Sequence, residues 1–152
     1  MKTYFTIVLF IAVSLFAVAQ DPSHEYDSTM ARQLGADDYG MKTYVLVILK
    51  TGPADIQDKE LRDSLFKGHF SNMDRLAADK KLILAGPMTQ NEQGYRGLFL
   101  FDVSTSAEAE QLLKGDPTVV AGIFDTEIFQ WYGSAALPVY LETAKKISKR
   151  NP

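Results

Sequence analysis

The sequence predicts an α+β protein whose strands and helices follow the order β-α-β-β-α-β, which is the ferredoxin-like pattern. Three observations predict it. Four apolar runs have the length and composition of strands, and two longer segments with capping residues at their starts separate them as helices. A short turn then joins the second strand to the third as a hairpin. The chain contains no cysteine, so disulfides contribute nothing to the fold.

The four strands are rich in β-branched, aliphatic and aromatic residues and are bounded by turn formers. They are predicted over residues 44–49, 82–85, 95–103 and 123–131. The first strand is apolar on both of its alternations, and so is the third, which means that both faces of the sheet need a cover. The two helices can cover one face. A second copy of the chain is the expected cover of the other, so we predict a homodimer with its sheets face to face.

The two helices begin at residues that can cap them. The N-cap candidates are Asp55 or Asp58 for the first helix and Ser104 or Ser106 for the second. The first helix is predicted to run to about Asp79, and the second ends before Gly115. The dipeptide Asp116-Pro117 then opens a short turn or helix that leads into the fourth strand.

The first 19 residues are typical of a cleavable signal peptide. Lys2 provides a positive start, an uncharged apolar run of about 15 residues follows, and Ala17-Val18-Ala19 offers a cleavage site before Gln20. The run is shorter than the roughly 20 residues that span a bilayer. A lipid anchor would require a cysteine at the cleavage site. We therefore expect export to the periplasm or beyond, without a stable membrane anchor after cleavage.

The exported chain is expected to comprise three parts. Residues 20–40 form a polar lead-in, in which Tyr26 to Leu34 could form a short helix. Residues 41–136 form the domain, and residues 137–152 form a basic C-terminal segment. Loss of Lys2 changes the net charge from −3 to −4. An acidic chain without a basic stripe is not expected to bind nucleic acid.

Neither a cofactor nor a metal ion is expected. The chain has no glycine-rich loop of the kind that cradles phosphates, and its two histidines and scattered carboxylates lack the spacing of a metal-ligand set. Little nucleotide cofactor is available to an exported protein. The expected partner is a small molecule, and the chemistry that remains is proton transfer or ligand capture.

His69 is the main candidate for that chemistry. On a helical wheel it falls near the centre of the apolar stripe of the first helix, which consists of Leu61, Leu65, Phe66, Met73, Leu76 and Ala77. A buried imidazole must be hydrogen-bonded or face a cavity. It can serve as a general base, or it can be a core histidine bonded to a backbone carbonyl. Asp116 could orient it as a carboxylate partner, or could only cap the turn after it.

Six other residues are candidates for binding a substrate. Arg62 and Asn72 lie on the same side of the first helix as His69. Glu127 shares a strand face with Trp131, which could form part of a pocket or a solvated edge. Polar groups of a pocket could also come from Tyr95, Arg96 and Ser134.

Five segments together resemble the YciI-like (YCII-related) domain family, which belongs to the dimeric α+β barrel superfamily. They are Gly68-His69-Phe70 with Asn72, residues 82–87, residues 95–101, Gly115-Asp116-Pro117 and residues 131–136. The resemblance runs from about Met41 to Ala136. It implies a fold similar to that of muconolactone isomerase, and an active site that pairs the helix histidine with the aspartate of the Asp-Pro turn. Those residues are His69 and Asp116 here. One branch of the family removes chloride from a chlorinated hydroxyquinol.

Three functions follow from these observations. The first is a cofactor-independent enzyme that uses His69 and Asp116 for elimination, isomerisation or lactone chemistry on a small cyclic or aromatic molecule. The second is a binding module for a small apolar ligand or for haem, with His69 as a hydrogen-bond partner or axial ligand. The third is a structural domain whose site has decayed.

Overall fold

The computed structural model describes residues 25–149, so the predicted signal peptide and the basic residue Arg150 lie outside the described residues. The elements in chain order are α1 (Ser28–Leu34), β1 (Met41–Thr51), α2 (Lys59–Ala78), β2 (Leu82–Pro87), β3 (Tyr95–Phe101), α3 (Ser106–Leu113), α4 (Pro117–Val120), β4 (Phe124–Ser134), a 3₁₀ turn (Leu137–Val139) and α5 (Tyr140–Ile147). The predicted β-α-β-β-α-β core is present, with the short helix α4 inserted before β4.

The strands form one antiparallel sheet in the order β2-β3-β1-β4. The pairing of β1 with β4 is regular over the whole of both strands, from Met41 opposite Ser134 to Thr51 opposite Phe124. The pairing of β1 with β3 shifts register between Leu49 and Lys50. This α+β architecture agrees with the ferredoxin-like pattern that the sequence predicts.

One face of the sheet packs against the helices and forms the main core. Its buried side chains alternate along β1 and β3 and meet apolar residues of α2 and α3. They include Val45, Val47, Leu49, Leu76, Phe99, Phe101 and Leu113. The apolar stripe of α2 is narrower than the sequence predicts, because Leu61 is 47% exposed and Ala77 is also exposed.

The opposite face, which we call the second face, is apolar in its middle. It carries Tyr44, Leu46, Ile48, Leu98, Leu100, Phe129 and Trp131. The C-terminal segment covers one end of it, where Leu137 packs on the buried residues and the Tyr140 hydroxyl donates to the Ile83 carbonyl at 2.7 Å. Phe129 and Trp131 remain 49% and 41% exposed. Much of the second face is therefore uncovered in a single chain.

Most element boundaries agree with the sequence, and the differences have local causes. Asp58, one of the two predicted candidates, is the N-cap of α2. The prediction for α3 was wrong, because Thr105 is its N-cap and forms a reciprocal capping box with Glu108. The fourth strand starts at Phe124, since Ile123 still belongs to the turn after α4 and packs against the helix-side core.

The lead-in is attached to the end of β4. α1 is capped by Asp27 and ends at Gly35 in a left-handed conformation. Asp37 then accepts hydrogen bonds from the backbone amides of Tyr39 and Met41 and from the Tyr132 hydroxyl. Among residues 25–149 there is no helix with the length and apolar character that crossing a membrane requires.

Candidate active site

His69 lies on the face of α2 that packs against the sheet, and its side chain is almost entirely buried. The residue is 6% exposed and is surrounded by phenylalanines. The Phe99 ring stacks on the imidazole with a centroid distance of 5.8 Å, and three others approach by their edges. The edge contacts are Phe70 at 5.3 Å, Phe124 at 5.6 Å and Phe66 at 6.2 Å. An imidazole in such an apolar setting needs a polar partner.

Asp116 is that partner, although it lies 47 residues further along the chain. Its Oδ2 atom is 2.7 Å from His69 Nδ1, and its side chain is fully buried. Asp116 is also the N-cap of α4, and its Oδ1 atom accepts from the Thr118 backbone amide at 3.0 Å and from the Thr118 hydroxyl at 2.6 Å. The two alternatives for Asp116 are thus both realised, because it caps α4 and also holds His69.

Thr118 completes the cluster, although it was not predicted from the sequence. Its hydroxyl oxygen lies 3.2 Å from His69 Nδ1, and the residue is fully buried. With two donors on Oδ1, the Asp116 carboxylate is held in one orientation toward the imidazole. The position of Thr118 two residues after an N-cap aspartate could have predicted it, because backbone amides in the first turn of a helix donate to the N-cap side chain.

A close contact between α2 and α4 brings these residues together. A Cβ atom on Gly68 would lie 2.7 Å from Cγ of Pro117, so only glycine lets the proline ring pack this closely against α2. Gly68 and Pro117 are the chain neighbours of His69 and Asp116. The helix contact and the His69–Asp116 hydrogen bond therefore depend on the same packing distance.

The charges of the cluster favour an ionised aspartate next to the imidazole. Burial opposes ionisation of Asp116, but hydrogen bonds from His69 and Thr118 outweigh it, so the pKa of Asp116 lies below its ordinary value of 3.8. A carboxylate at Oδ2 makes Nδ1 the protonated nitrogen of a neutral imidazole, which leaves a lone pair on Nε2.

The Nε2 atom of His69 has no hydrogen-bond partner among residues 25–149. Every fully buried side-chain nitrogen and oxygen of the described residues does have a partner, and the His69 side chain keeps 7% of its surface exposed. The imidazole is thus held through Nδ1, and Nε2 is left without a hydrogen-bond partner among the described residues.

The structure places the other predicted residues apart from this cluster, except Asn72. Asn72 is buried one turn after His69, near Gly115, and its side-chain oxygen accepts from the Arg75 guanidinium at 2.8 Å. Arg62 is exposed in the first turn of α2, about two turns before His69. Ser134 ends β4, whereas Phe124, which contacts the imidazole, starts it.

Tyr95 and Glu127 meet at another place, on the second face, and Arg96 follows Tyr95 in the chain. The Tyr95 hydroxyl is 3.2 Å from Glu127, which also pairs with Lys50 at 3.0 Å. Within residues 25–149, no three histidine, aspartate or glutamate side chains group closely enough to hold a metal ion.

The family model of the YCII-related domain matches residues 43–132. The chain belongs to this family. Residues 43–132 of this YCII-related protein include the whole cluster of His69, Asp116 and Thr118, and the resemblance read from the sequence is confirmed.

One relative in sequence and one solved structure are similar to this chain. The uncharacterized protein YjpA of Bacillus subtilis is 25% identical over 91 residues, which cover 60% of this chain and 95% of YjpA. A solved structure with 20% identity and a TM-score of 0.44 covers 58% of this chain and 92% of the other. It is 5-chloro-2-hydroxyhydroquinone dehydrochlorinase (TftG) from Burkholderia phenoliruptrix in complex with 2,5-dihydroxybenzoquinone.

Proposed function

We propose that this YCII-related protein is a cofactor-independent enzyme in which His69 moves a proton on a small cyclic or aromatic molecule. One observation carries the proposal: a buried imidazole is hydrogen-bonded through Nδ1 to a buried carboxylate at 2.7 Å, while Nε2 has no partner among residues 25–149. This is the arrangement that a general base requires, since one nitrogen is oriented and the other can take up a proton.

In the proposed step, Nε2 of His69 removes a proton from a carbon or hydroxyl group of the substrate. The imidazolium that forms is stabilised by the ionised Asp116, which Thr118 holds in place. In an isomerisation the proton then returns to another atom of the same molecule, and in an elimination it passes to solvent after the leaving group has departed. The surrounding phenylalanines exclude water, which strengthens the interaction between the imidazolium and the carboxylate.

This chemistry suits eliminations, isomerisations and lactone reactions. An isomerisation or a lactone reaction moves the proton from one atom of the molecule to another, whereas in an elimination the leaving group departs with the bonding electrons and His69 passes the proton to solvent. None of these reactions changes the oxidation state of the protein. The apolar rings around His69 favour a flat, largely apolar substrate, since a strongly charged one would lose its hydration without compensation. A small-molecule enzyme of this class is the function that the site supports best.

The test is a substrate panel read by methods that do not assume the reaction. Purified protein is incubated in deuterated buffer with lactones and with hydroxyquinols that carry or lack a ring chloride. NMR follows deuterium uptake, and an ion-selective electrode follows chloride release. We expect turnover of a panel member to fall by about 100-fold or more in His69→Ala, which is the usual contribution of a general acid or base.

Two further variants make the result decisive. Asp116→Asn keeps the volume of the side chain but loses its charge, so a large drop in turnover is expected. Ser71→Ala alters an exposed position of the same helix and should leave turnover unchanged. Turnover that persists in His69→Ala would refute the proposal. Binding of a panel member without turnover would instead indicate a ligand-binding module.

We also propose that a second copy of the chain covers the apolar centre of the second face, as in a dimeric α+β barrel. The support is the exposed apolar centre of this face, where a single chain leaves Phe129 and Trp131 unburied. Phe129→Glu should shift the protein from dimer to monomer in sedimentation experiments. Leu61→Glu is the matched control, because Leu61 is equally exposed but lies on α2. A wild-type monomer would contradict this proposal.

We propose, in addition, that the enzyme works outside the cytoplasm. The support is the composition of residues 1–19, with its positive start, short apolar run and small residues at the cleavage site. N-terminal sequencing of protein recovered from the periplasm or medium should begin at Gln20. An intact Met1 in protein that stays in the cytoplasm would refute export.

A further inference from the structure

A cleft separate from the His69 cluster lies where β1 and β2 end and β3 begins. Its volume is about 350 Å³, which is at the lower end of the range of small-molecule sites. His69, Asp116 and Thr118 do not line it.

The lining of the cleft combines one charge with amides and apolar groups. Of the described residues that line it, Arg96 alone is charged, and it makes no ion pair with another residue between 25 and 149. Gln90 and Asn91 contribute amides, and Met88 contributes an apolar wall. The nearby carboxylates Asp125 and Glu127 do not line the cleft and are paired with Lys50.

A β-bulge aims Arg96 and Tyr95 toward the same side of the sheet. Leu49 pairs with Gly97 and Lys50 pairs with Tyr95, so Arg96 is the extra residue on β3. Arg96 keeps the alternation of Leu98 on the second face, and the Tyr95 hydroxyl reaches Glu127 on that face. Bulges commonly redirect side chains in this way next to binding sites.

Hydrogen bonds within the chain hold the frame of the cleft. The Asn91 side chain donates to the carbonyls of Thr89 and Tyr95 and accepts from the Tyr95 amide. The amide of Thr51 donates to the Gly94 carbonyl at 2.9 Å, and the Met88 amide donates to the Arg96 carbonyl at 2.9 Å. A frame that is already ordered loses little entropy when a ligand binds.

We infer that this cleft binds a small organic monocarboxylate, with its carboxylate on the Arg96 guanidinium and its apolar body against Met88 and the Tyr95 ring. A guanidinium presents a planar fork that matches a carboxylate. A single uncompensated cation in the lining balances a single negative charge, whereas a multiply charged phosphate would lack further partners. The site is distinct from the proposed proton-transfer centre and does not depend on it.

Sodium benzoate is a suitable probe, because it joins one carboxylate to a flat apolar ring. Benzamide is its uncharged counterpart, and inorganic phosphate tests the alternative anion. In ¹H–¹⁵N NMR titrations of the purified protein, we expect saturable shifts of the Gln90 and Asn91 side-chain amides with benzoate. Benzamide and phosphate should bind at least about tenfold more weakly, since a hydrogen bond between charged groups is lost or mismatched.

Variants at Arg96 and at a matched arginine complete the test. Arg96→Gln should weaken benzoate binding by about tenfold or more, and Arg96→Lys should give an intermediate effect because it keeps the charge but loses the fork. Arg32→Gln makes the same change in charge on exposed α1 and should not alter binding. Equal binding of benzamide, tighter binding of phosphate, an unaffected Arg96→Gln variant, or shifts confined to the residues around His69 would each overturn the inference. None of these readouts involves turnover, so they leave the proton-transfer proposal to its own test.

Discussion

Replacing Gly68 by alanine tests whether the close contact of α2 with α4 is what joins His69 to Asp116. The new Cβ would lie 2.7 Å from Cγ of Pro117, and ordinary contact begins at 3.4 Å. The two helices would therefore have to separate by about 0.7 Å. If α4 moved away as a rigid unit, the His69–Asp116 distance would grow from 2.7 Å toward the limit of a hydrogen bond.

Two effects of this substitution oppose each other. Alanine stabilises a helix interior by about 1 kcal/mol relative to glycine. Overpacking against the proline costs about 1–3 kcal/mol, and a weakened hydrogen bond to a charged group costs about 1.5–3 kcal/mol when it is lost completely. The costs exceed the gain, so we expect Gly68→Ala to lower the free energy of unfolding by about 1–3 kcal/mol.

Urea denaturation measures this change, and NMR of the imidazole shows its cause. The Nδ1 proton of His69 should give a downfield signal in the wild type, which moves upfield in Gly68→Ala as the bond to Asp116 lengthens. Ser71→Ala, at an exposed position of the same helix, controls for helix propensity. A Gly68→Ala variant that is more stable than the wild type, with an unchanged imidazole signal, would refute the reasoning.

Three other predictions concern titration and capping. Because the pKa of Asp116 is below 3.8 in the folded protein, the unfolded state binds more protons as the pH falls through 3.8. Stability should therefore decline there, and denaturation of Asp116→Asn should show a shallower decline; equal slopes would contradict this. Burial, aided by Asp102, raises the pKa of Tyr44 from 10.0 to about 12, so stability should fall between pH 10 and 12, and Tyr44→Phe should remove part of that fall in the same assay. Thr105→Ala should cost about 1 kcal/mol through loss of the α3 cap, measured against Ser106→Ala, and equal stabilities of the two variants would count against that cap.

The local features of the fold were predictable because they depend on residues close in sequence. Asp58 at the start of α2 and Gly35 at the end of α1 have capping roles that their residue types favour. Thr105 competes as N-cap with the serines on either side of it, and Glu108 three residues later is the feature that favours Thr105, because the two form a capping box. The residue at which a helix begins depends on single hydrogen bonds of its cap, and the hydrophobic periodicity of the sequence does not show which residue forms them.

The candidate site was predictable in its residue types and not in its geometry. A histidine in an apolar helix stripe and an aspartate before a proline each had a structural alternative when read alone. The bond between them joins residues 47 positions apart, so it depends on how α4 packs on α2. Arg96 and Tyr95 are consecutive residues, and they lie on the same face of the sheet because the register of β1 with β3 shifts there. The sequence of neither strand alone predicts that shift.

By itself, the sequence determined the class of the protein: an α+β domain with a β-α-β-β-α-β core, a histidine on a buried helix face, and a family resemblance. These properties follow from local propensity, hydrophobic alternation and motif order, all of which depend on residues close together in the sequence. Only the tertiary structure decided that Asp116 and Thr118 hold His69 by one nitrogen and that Gly68 admits Pro117 beside them. The reason is physical, since side chains remote in sequence meet only through the packing of whole elements.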